Sequence, residues 1–457
     1  MTDATSASEL PARASLSQLA RYFLRLGFTA FGGPAAHIAI MEDDLVARRR
    51  WLTREHFMDM LAATQLVPGP NSTEMAIHIG YVHQGLAGLI LAGACFIMPA
   101  FLIVLALSIV YVAYGALPAV GALFYGIQPV IVAIVIQATY RLGRSALKTN
   151  GLRALGLVAL IAALIAPFDP VWVIVGGGIV GILLAQDLPA RAGMALVLLP
   201  HNPVASEPHG NRPWIERIGW IITDSFYSFR ENPFNPSHLW PILYGALAQA
   251  TAEPTLWGLA LFFLKVGATL LGSGYLLISY LQNDLVNRFG WLTPRQLVDA
   301  VAVGQMTPGP VFTTAAFVGY VVRAGTSGDM TRGTIGAAVC ALAIFLPSFV
   351  IVALLGPLMP WLRGSAGARA FLDGVNAAVV GTIAATTWSL FQAATINLPK
   401  PVIAMPLAGA SLDLFAALLA VAATALLLRE RAPNSTIIIG VGAALGLIAQ
   451  ALIGRIT

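Results

Sequence analysis

Two Pro-Gly-Pro triplets, Pro68-Gly69-Pro70 and Pro308-Gly309-Pro310, interrupt apolar stretches of this chain. Each pair of prolines removes two amide donors and releases carbonyls upstream, while the glycine between them admits other backbone at close range. A helix restarting after the triplet presents its first unpaired N–H groups and the positive end of its dipole to the gap. That arrangement binds anions. Asn71, Ser72 and Thr73 follow the first break, and Thr313 and Thr314 follow the second; such side chains cap a helix start or donate to a ligand. Each half holds a further glycine-rich break upstream, Phe31-Gly32-Gly33-Pro34 and Gly272-Ser273-Gly274. A single break also reads as a proline kink that helps a bundle pack. Two at matching positions, each beside a glycine break and polar residues, favour a cavity lined by dipole ends and small side chains.

Ionisable residues in the same segments extend this chemistry, because charge within a membrane segment is costly and marks function. Arg25 and Lys265 lie one to two turns before the glycine breaks and suit neutralisation of a dianion; the alternative is snorkelling to the interface. Asp59 and Asp299 precede the triplets by nine residues and are expected to pair with Arg25 or Lys265, or to carry a proton. Glu74 has no acidic counterpart in the second half, where Thr314 stands, which suits either a proton-coupling carboxyl or a helix-capping one. His37 and His78 read as proton carriers or as packed histidines.

The elements that must position these groups are membrane helices. Of 457 residues, 58% are hydrophobic and only 10% charged, against about 25% charged in soluble domains. Stretches suited to crossing a bilayer occupy 85–114, 117–140, 152–168, 170–186, 257–281, 332–358, 367–393, 411–428 and 435–453, with interrupted apolar segments at 19–40 and 58–82. The N-terminus lacks the apolar core of a cleaved signal and is expected to be a cytoplasmic tail. The net charge of +5 comes mostly from segment ends, where it orients the chain and meets anionic lipid, so no nucleic-acid partner is expected. Cys95 and Cys340 both sit in apolar segments, giving neither a disulfide framework nor a metal site. Neither P-loop nor H-E-x-x-H occurs.

The chain is also written twice. Residues 51–70 and 291–310 match at an offset of 240 with nine of twenty positions identical, including Trp51/Trp291, Asp59/Asp299 and Gln65/Gln305. At the same offset "FLRLGFTAFGG" (23–33) meets "FLKVGATLLGS" (263–273), and "DLVARRRWL" meets "DLVNRFGWL". The expected fold class is an all-α polytopic membrane protein of two homologous repeats, each of about six hydrophobic segments with broken or re-entrant helices. Its expected divisions are a tail (1–14), a first repeat (15–187), a polar linker (188–254) and a second repeat (255–457). Duplicated halves with matching broken helices are the pattern of secondary transporters. Arg48, Arg49, Arg50 and Arg54, and later Arg141, Arg144, Lys148 and Arg153, place two loops on the cytoplasmic side. Charge does not separate parallel from inverted repeats; inversion is preferred because the short apolar piece at 239–250 can supply the extra crossing.

Taken together, "FTAFGGPAAHIAIMEDDLVARRRWLTREHFMDMLAATQLVPGPNSTEMAIHIGY" and its degenerate copy around "GQMTPGP" resemble the chromate ion transporter family in its long two-domain form. The resemblance covers almost the whole chain. It implies export of chromate across the bacterial inner membrane, giving chromate resistance, with no cofactor. The motif residues it carries over are Phe31, Gly32, Gly33, Pro34, Gln65, Pro68, Gly69, Pro70, Glu74, Gly80 and Tyr81; in the second half they are Gly272, Gln305, Pro308, Gly309 and Pro310. The second half replaces Gly33-Pro34 by Ser273-Gly274 and Asn71-Ser72-Thr73-Glu74 by Val311-Phe312-Thr313-Thr314, so substrate chemistry is expected mainly in the first. Chromate is a tetrahedral dianion, which suits helix N-termini, hydroxyls and a basic side chain. Expected partners are chromate or a sulfate-like oxyanion, the lipid bilayer and a second copy of the chain. The competing expectations are a sulfate or other oxyanion carrier that chromate mimics and, from another class, a membrane chromate reductase, for which the two separated cysteines offer no evident cofactor site.

Overall fold

The computed structural model describes residues 13–31, 33–64, 67–115, 117–165, 169–185, 254–325, 328–355, 366–396, 403–407, 410–429 and 433–453. Gly32, Gln65, nearly all of the expected tail and nearly all of the expected linker, with the apolar piece at 239–250, lie outside them. The first half runs α1 (Leu16–Thr29), α2 (Gly33–Glu42) continuing as a π-helix (Asp43–Arg48), α3 (Arg54–Thr64), α4 (Asn71–Tyr114), α5 (Pro118–Ala146), α6 (Asn150–Ile165) and α7 (Pro170–Leu184). The second runs α8 (Leu256–Thr269), α9 (Leu276–Tyr280) with a π-helix (Leu281–Arg288), α10 (Pro294–Met306), a 3-10 turn (Val311–Thr313) leading into α11 (Thr314–Ala324), α12 (Met330–Leu355), α13 (Ala366–Thr395), α14 (Leu414–Leu427) and α15 (Ser435–Ile453). The class is all-α. One short antiparallel hairpin, β1 (Ala404–Leu407) and β2 (Ala410–Asp413), precedes α14, and Asp413 then caps that helix while accepting a 2.5 Å bond from the Tyr125 hydroxyl.

Among the described residues α4, α5, α12, α13 and α15 are long and apolar enough to cross a bilayer. The remaining helices near the breaks are shorter because the chain doubles back. Asp299 and Phe317 lie nine residues either side of Pro308, which would separate them by roughly 27 Å along a straight helix. Both reach the same Tyr111, the carboxylate at 2.9 Å and the phenyl ring at 5.0 Å between centroids, so α10 and α11 form a re-entrant hairpin with Pro-Gly-Pro at its tip. Lys265 likewise meets Asp284 at 2.7 Å across the Gly272-Ser273-Gly274 break. The stretch 257–281, expected as one span, is therefore two helices folded back on one another. Inside α4 the backbone leaves helical values at Gln84 and Gly85. There Gly80 and Gly88 touch backbone to backbone, so 71–83 returns along the helix that follows. Gly319 and Gly336 repeat that contact between α11 and α12.

Contacts between the halves fix their relation. Gly88 and Pro99 of α4 correspond to Gly336 and Pro347 of α12 at an offset of 248. Gly93 of α4 lies against Phe349 of α12, and Val112 of α4 lies against Gly328 just before α12, so one helix ascends as the other descends. Equivalent spans running antiparallel make the repeats inverted. The exchange is reciprocal elsewhere: Gly126 of α5 abuts Gly442 and Gly446 of α15, and Gly374 of α13 abuts Gly177 and Gly181 of α7. Small residues at these crossings let backbones approach, the usual means of holding helices together where lipid gives no hydrophobic drive.

Candidate substrate site at the crossed breaks

Each Pro-Gly-Pro turn hydrogen-bonds across to the opposite repeat. Gly69 N–H donates to the Leu270 carbonyl at 2.8 Å, and Gly309 N–H donates to the Ala30 carbonyl at 2.9 Å. Leu270 and Ala30 are the extended residues that end α8 and α1, and they too correspond at an offset of 240. Each Pro-Gly-Pro is thus held by the glycine-rich break of the opposite repeat. Gly69 and Gly309 have φ of 138° and 86°, a region that side chains disfavour.

Around the first tip, polar groups converge without being fully used. Pro70 ends the break with no side-chain cap on α4; its carbonyl accepts from the Thr73 and Glu74 amides at 2.8 and 3.0 Å. The amides of Asn71 and Ser72 fall in the part of a helix that has no intrahelical acceptor. Glu74 is fully buried. Its carboxyl lies over Gly69, since a Cβ there would strike both Glu74 Oε1 and Ser348 Oγ, and Ser348 donates to Oε1 at 3.5 Å. Among the described residues Glu74 Oε2 and the buried Thr73 hydroxyl find no hydrogen-bond partner. The protein's own carboxyl therefore occupies ground that the broken helix offers to an anion.

His37 ties the two breaks of the first repeat together. Its Nε2 stands 3.0 Å from the Ala30 carbonyl and its Nδ1 3.3 Å from Ser72 Oγ. A carbonyl only accepts, so Nε2 carries the hydrogen and Ser72 donates to Nδ1. The Ala30 carbonyl consequently receives both His37 and Gly309 of the other repeat. Phe31 is exposed, and Pro34 begins α2 beside Gly33.

The equivalent place in the second repeat is filled. Thr313 and Thr314 hydroxyls donate to their own backbone, to Pro310 and Val311 carbonyls at 2.8 and 2.7 Å. Beside them a cavity of ≈ 10 Å³ is lined by Gly274, Tyr275, Gln305 and Thr314, about the room one water needs. Among the described residues Gln305 Nε2 has no hydrogen-bond partner. Gly272 packs under Asn376 of α13. The hydroxyls after the second break are thus committed to their own backbone, whereas the Thr73 hydroxyl after the first break finds no partner among the described residues.

Lys265 and Asp299 differ from the pairing expected of them. Lys265 is bound by Asp169 at 2.6 Å and Asp284 at 2.7 Å with its side chain 11% exposed, so two carboxylates and not a substrate neutralise it. Asp299 pairs with neither Arg25 nor Lys265; it accepts from Gln128 at 2.7 Å and Tyr111 at 2.9 Å. Asp59 lies on an exposed face of α3, whereas His78 is buried in α4. Arg25 lines an open cavity of ≈ 400 Å³ with Tyr22, Thr29, Asp43, Asp44 and Arg48. Asp284 was detectable in the sequence, because "DLVARRRWL" and "DLVNRFGWL" carry Asp44 and Asp284 at the offset that relates Arg25 to Lys265. Asp169, Ser348, Tyr111 and Gln128 carried no such signal, since only the packing of distant helices brings them in.

Comparison with known proteins agrees with this architecture. A family model described as "Chromate transporter" matches residues 17–182 and 257–447. The chain is 31% identical over 440 residues to the chromate transport protein of Cupriavidus metallidurans, covering 96% of this chain and 94% of that one. It is 32% identical over 414 residues to the chromate transport protein of Pseudomonas aeruginosa, covering 90% and 89%. A probable chromate transport protein of Synechococcus elongatus is 32% identical over 400 residues, covering 87% and 90%. No solved structure matches the chain.

Proposed function

The chain belongs to the chromate transporter family, and from that premise we propose that it exports chromate by alternating access around the crossed Pro-Gly-Pro tips, giving chromate resistance. It is a multi-pass protein of the plasma membrane, and its substrate is an oxyanion. The observation that carries the mechanism is the reciprocal pair of bonds, Gly69 to Leu270 and Gly309 to Ala30, set beside unpartnered Thr73 and Glu74 oxygens. These put an uncapped helix start, a hydroxyl and a buried carboxyl at the meeting point of two inverted repeats, where secondary transporters bind substrate. Arg25 in its open cavity meets the dianion on the way in.

Outward movement of a dianion is favoured by an inside-negative potential, at about 2.3 kcal/mol per charge per 100 mV. Glu74 adds a route for proton exchange: a dianion approaching the start of α4 is repelled by a carboxylate and accepted by a carboxylic acid. The repeats are read as 15–187 and 255–457, with 1–14 and 188–254 outside them and a homodimer as the assembly. The protein is read as a carrier and not a reductase; a flavin, haem or iron–sulfur band in its visible spectrum would overturn that.

Uptake of labelled chromate into everted vesicles tests the proposal, with sulfate as competitor and with potential and pH gradient imposed separately. Saturable uptake driven by an inside-positive potential is the expected result. Movement of sulfate without chromate would retain the mechanism and replace the substrate.

A further inference from the structure

We propose that Arg25 and Asp44 are a gate, the counterpart of the closed Lys265–Asp284 pair, and that transport closes the first pair as it opens the second. The inference rests on the transport reading above. Arg25 and Lys265 correspond at an offset of 240, as do Asp44 and Asp284, so each pair is separated by nineteen residues. Each is built from the same parts: a basic residue on the helix entering a glycine-rich break, and an aspartate on the π-helix beyond it.

The two pairs nevertheless stand in opposite states. In the second repeat Lys265 Nζ lies 2.7 Å from Asp284 and the helices are shut together. In the first, among the described residues no ion pair joins Arg25 to Asp44, and both line the cavity of ≈ 400 Å³ between α1 and the first π-helix. Asp44 is held instead by Arg48 at 3.7 Å, which also binds Asp43 at 2.7 Å. Because the repeats are inverted, the open and shut pairs face opposite sides of the membrane. Two copies of one sequence pattern thus display both ends of a single movement, and exchanging their conformations produces the state open to the other side.

The gates are unequal. Gly177 and Gly181 correspond to Gly442 and Gly446 at an offset of 265, which matches Asp169 with Asn434. Both residues cap their helices, Asp169 accepting from Val171 and Asn434 from Thr436. Only Asp169 brings a second carboxylate to its gate, at 2.6 Å from Lys265. That added attraction biases the molecule toward the observed state, with the second gate shut. The first cavity is lined by Arg48, which opens the basic run continued by Arg49, Arg50 and Arg54, and so it faces the cytoplasm.

The test uses the full chain with Cys95→Ala and Cys340→Ala, and a reporter at Ala39→Cys, a residue that lines the first cavity. In everted vesicles the reporter is labelled by a membrane-impermeant maleimide. Asp169→Asn keeps a good helix cap and weakens the second gate, so labelling slows severalfold; Asp284→Asn slows it further. Adding Asp44→Asn to either variant restores fast labelling, because the first gate then has no partner with which to shut. Unchanged labelling in Asp169→Asn and Asp284→Asn would overturn the gate, as would a slowing that Asp44→Asn leaves in place. The labelling does not depend on the transported ion. Gate behaviour without chromate flux would reject only the substrate, and flux with static labelling would reject only the gate.

Discussion

At the scale of single residues, the centre of the molecule is governed by what fits over one glycine. Any side chain at Gly69 collides with the Glu74 carboxyl and Ser348 hydroxyl and also takes a disfavoured φ, about 1–3 kcal/mol of strain. Gly69→Ala is therefore expected to lower chromate uptake by about tenfold or more while membrane levels, read by immunoblot, hold steady. Glu74→Gln keeps the shape and removes the exchangeable proton, so uptake should lose its response to an imposed pH gradient; a retained response would remove Glu74 from coupling. The paired triplets were legible because proline and glycine leave a backbone signature wherever they stand. The partners of Lys265 were less so: Asp169 is 96 residues away, and charge in a sequence names a candidate without naming what it touches.

At the scale of elements, the long apolar spans were readable from composition, and most lie within a few residues of the stretches the sequence marks. The stretch 257–281 misled because its Gly272-Ser273-Gly274 break is flanked by leucines and holds neither proline nor charge, so the apolar run continues across it. Re-entrant helices were expected from the breaks, and contacts such as Tyr111 touching both Asp299 and Phe317 define which segments pair as hairpins. Tight glycine crossings give a prediction at this scale. A leucine at Gly126 would drive into the Gly442 carbonyl and part α5 from α15, an overpacking of about 1–3 kcal/mol. Gly126→Leu should lower the thermal midpoint in detergent, followed by fluorescence-detected chromatography. Leucine at Gly121, where nothing lies within 4 Å, should not.

At the scale of the whole molecule, inversion was a preference that charge could not decide, and the antiparallel packing of α4 and α12 decides it. Equivalent positions then face opposite compartments. Cysteines replacing Arg54 and its counterpart Pro294, both exposed at the starts of α3 and α10, should react from opposite sides of the membrane; reaction from one side would reject the inverted arrangement. The crossed bonds between Gly69 and Leu270, and between Gly309 and Ala30, also bear on assembly. They work like a dovetail: each half supplies the socket for the other's tenon, and neither joint closes alone. Severing the chain should be tolerated and losing a half should not. The two halves made as separate polypeptides should copurify and restore chromate uptake, while either one alone is left with an open joint at its centre and moves nothing.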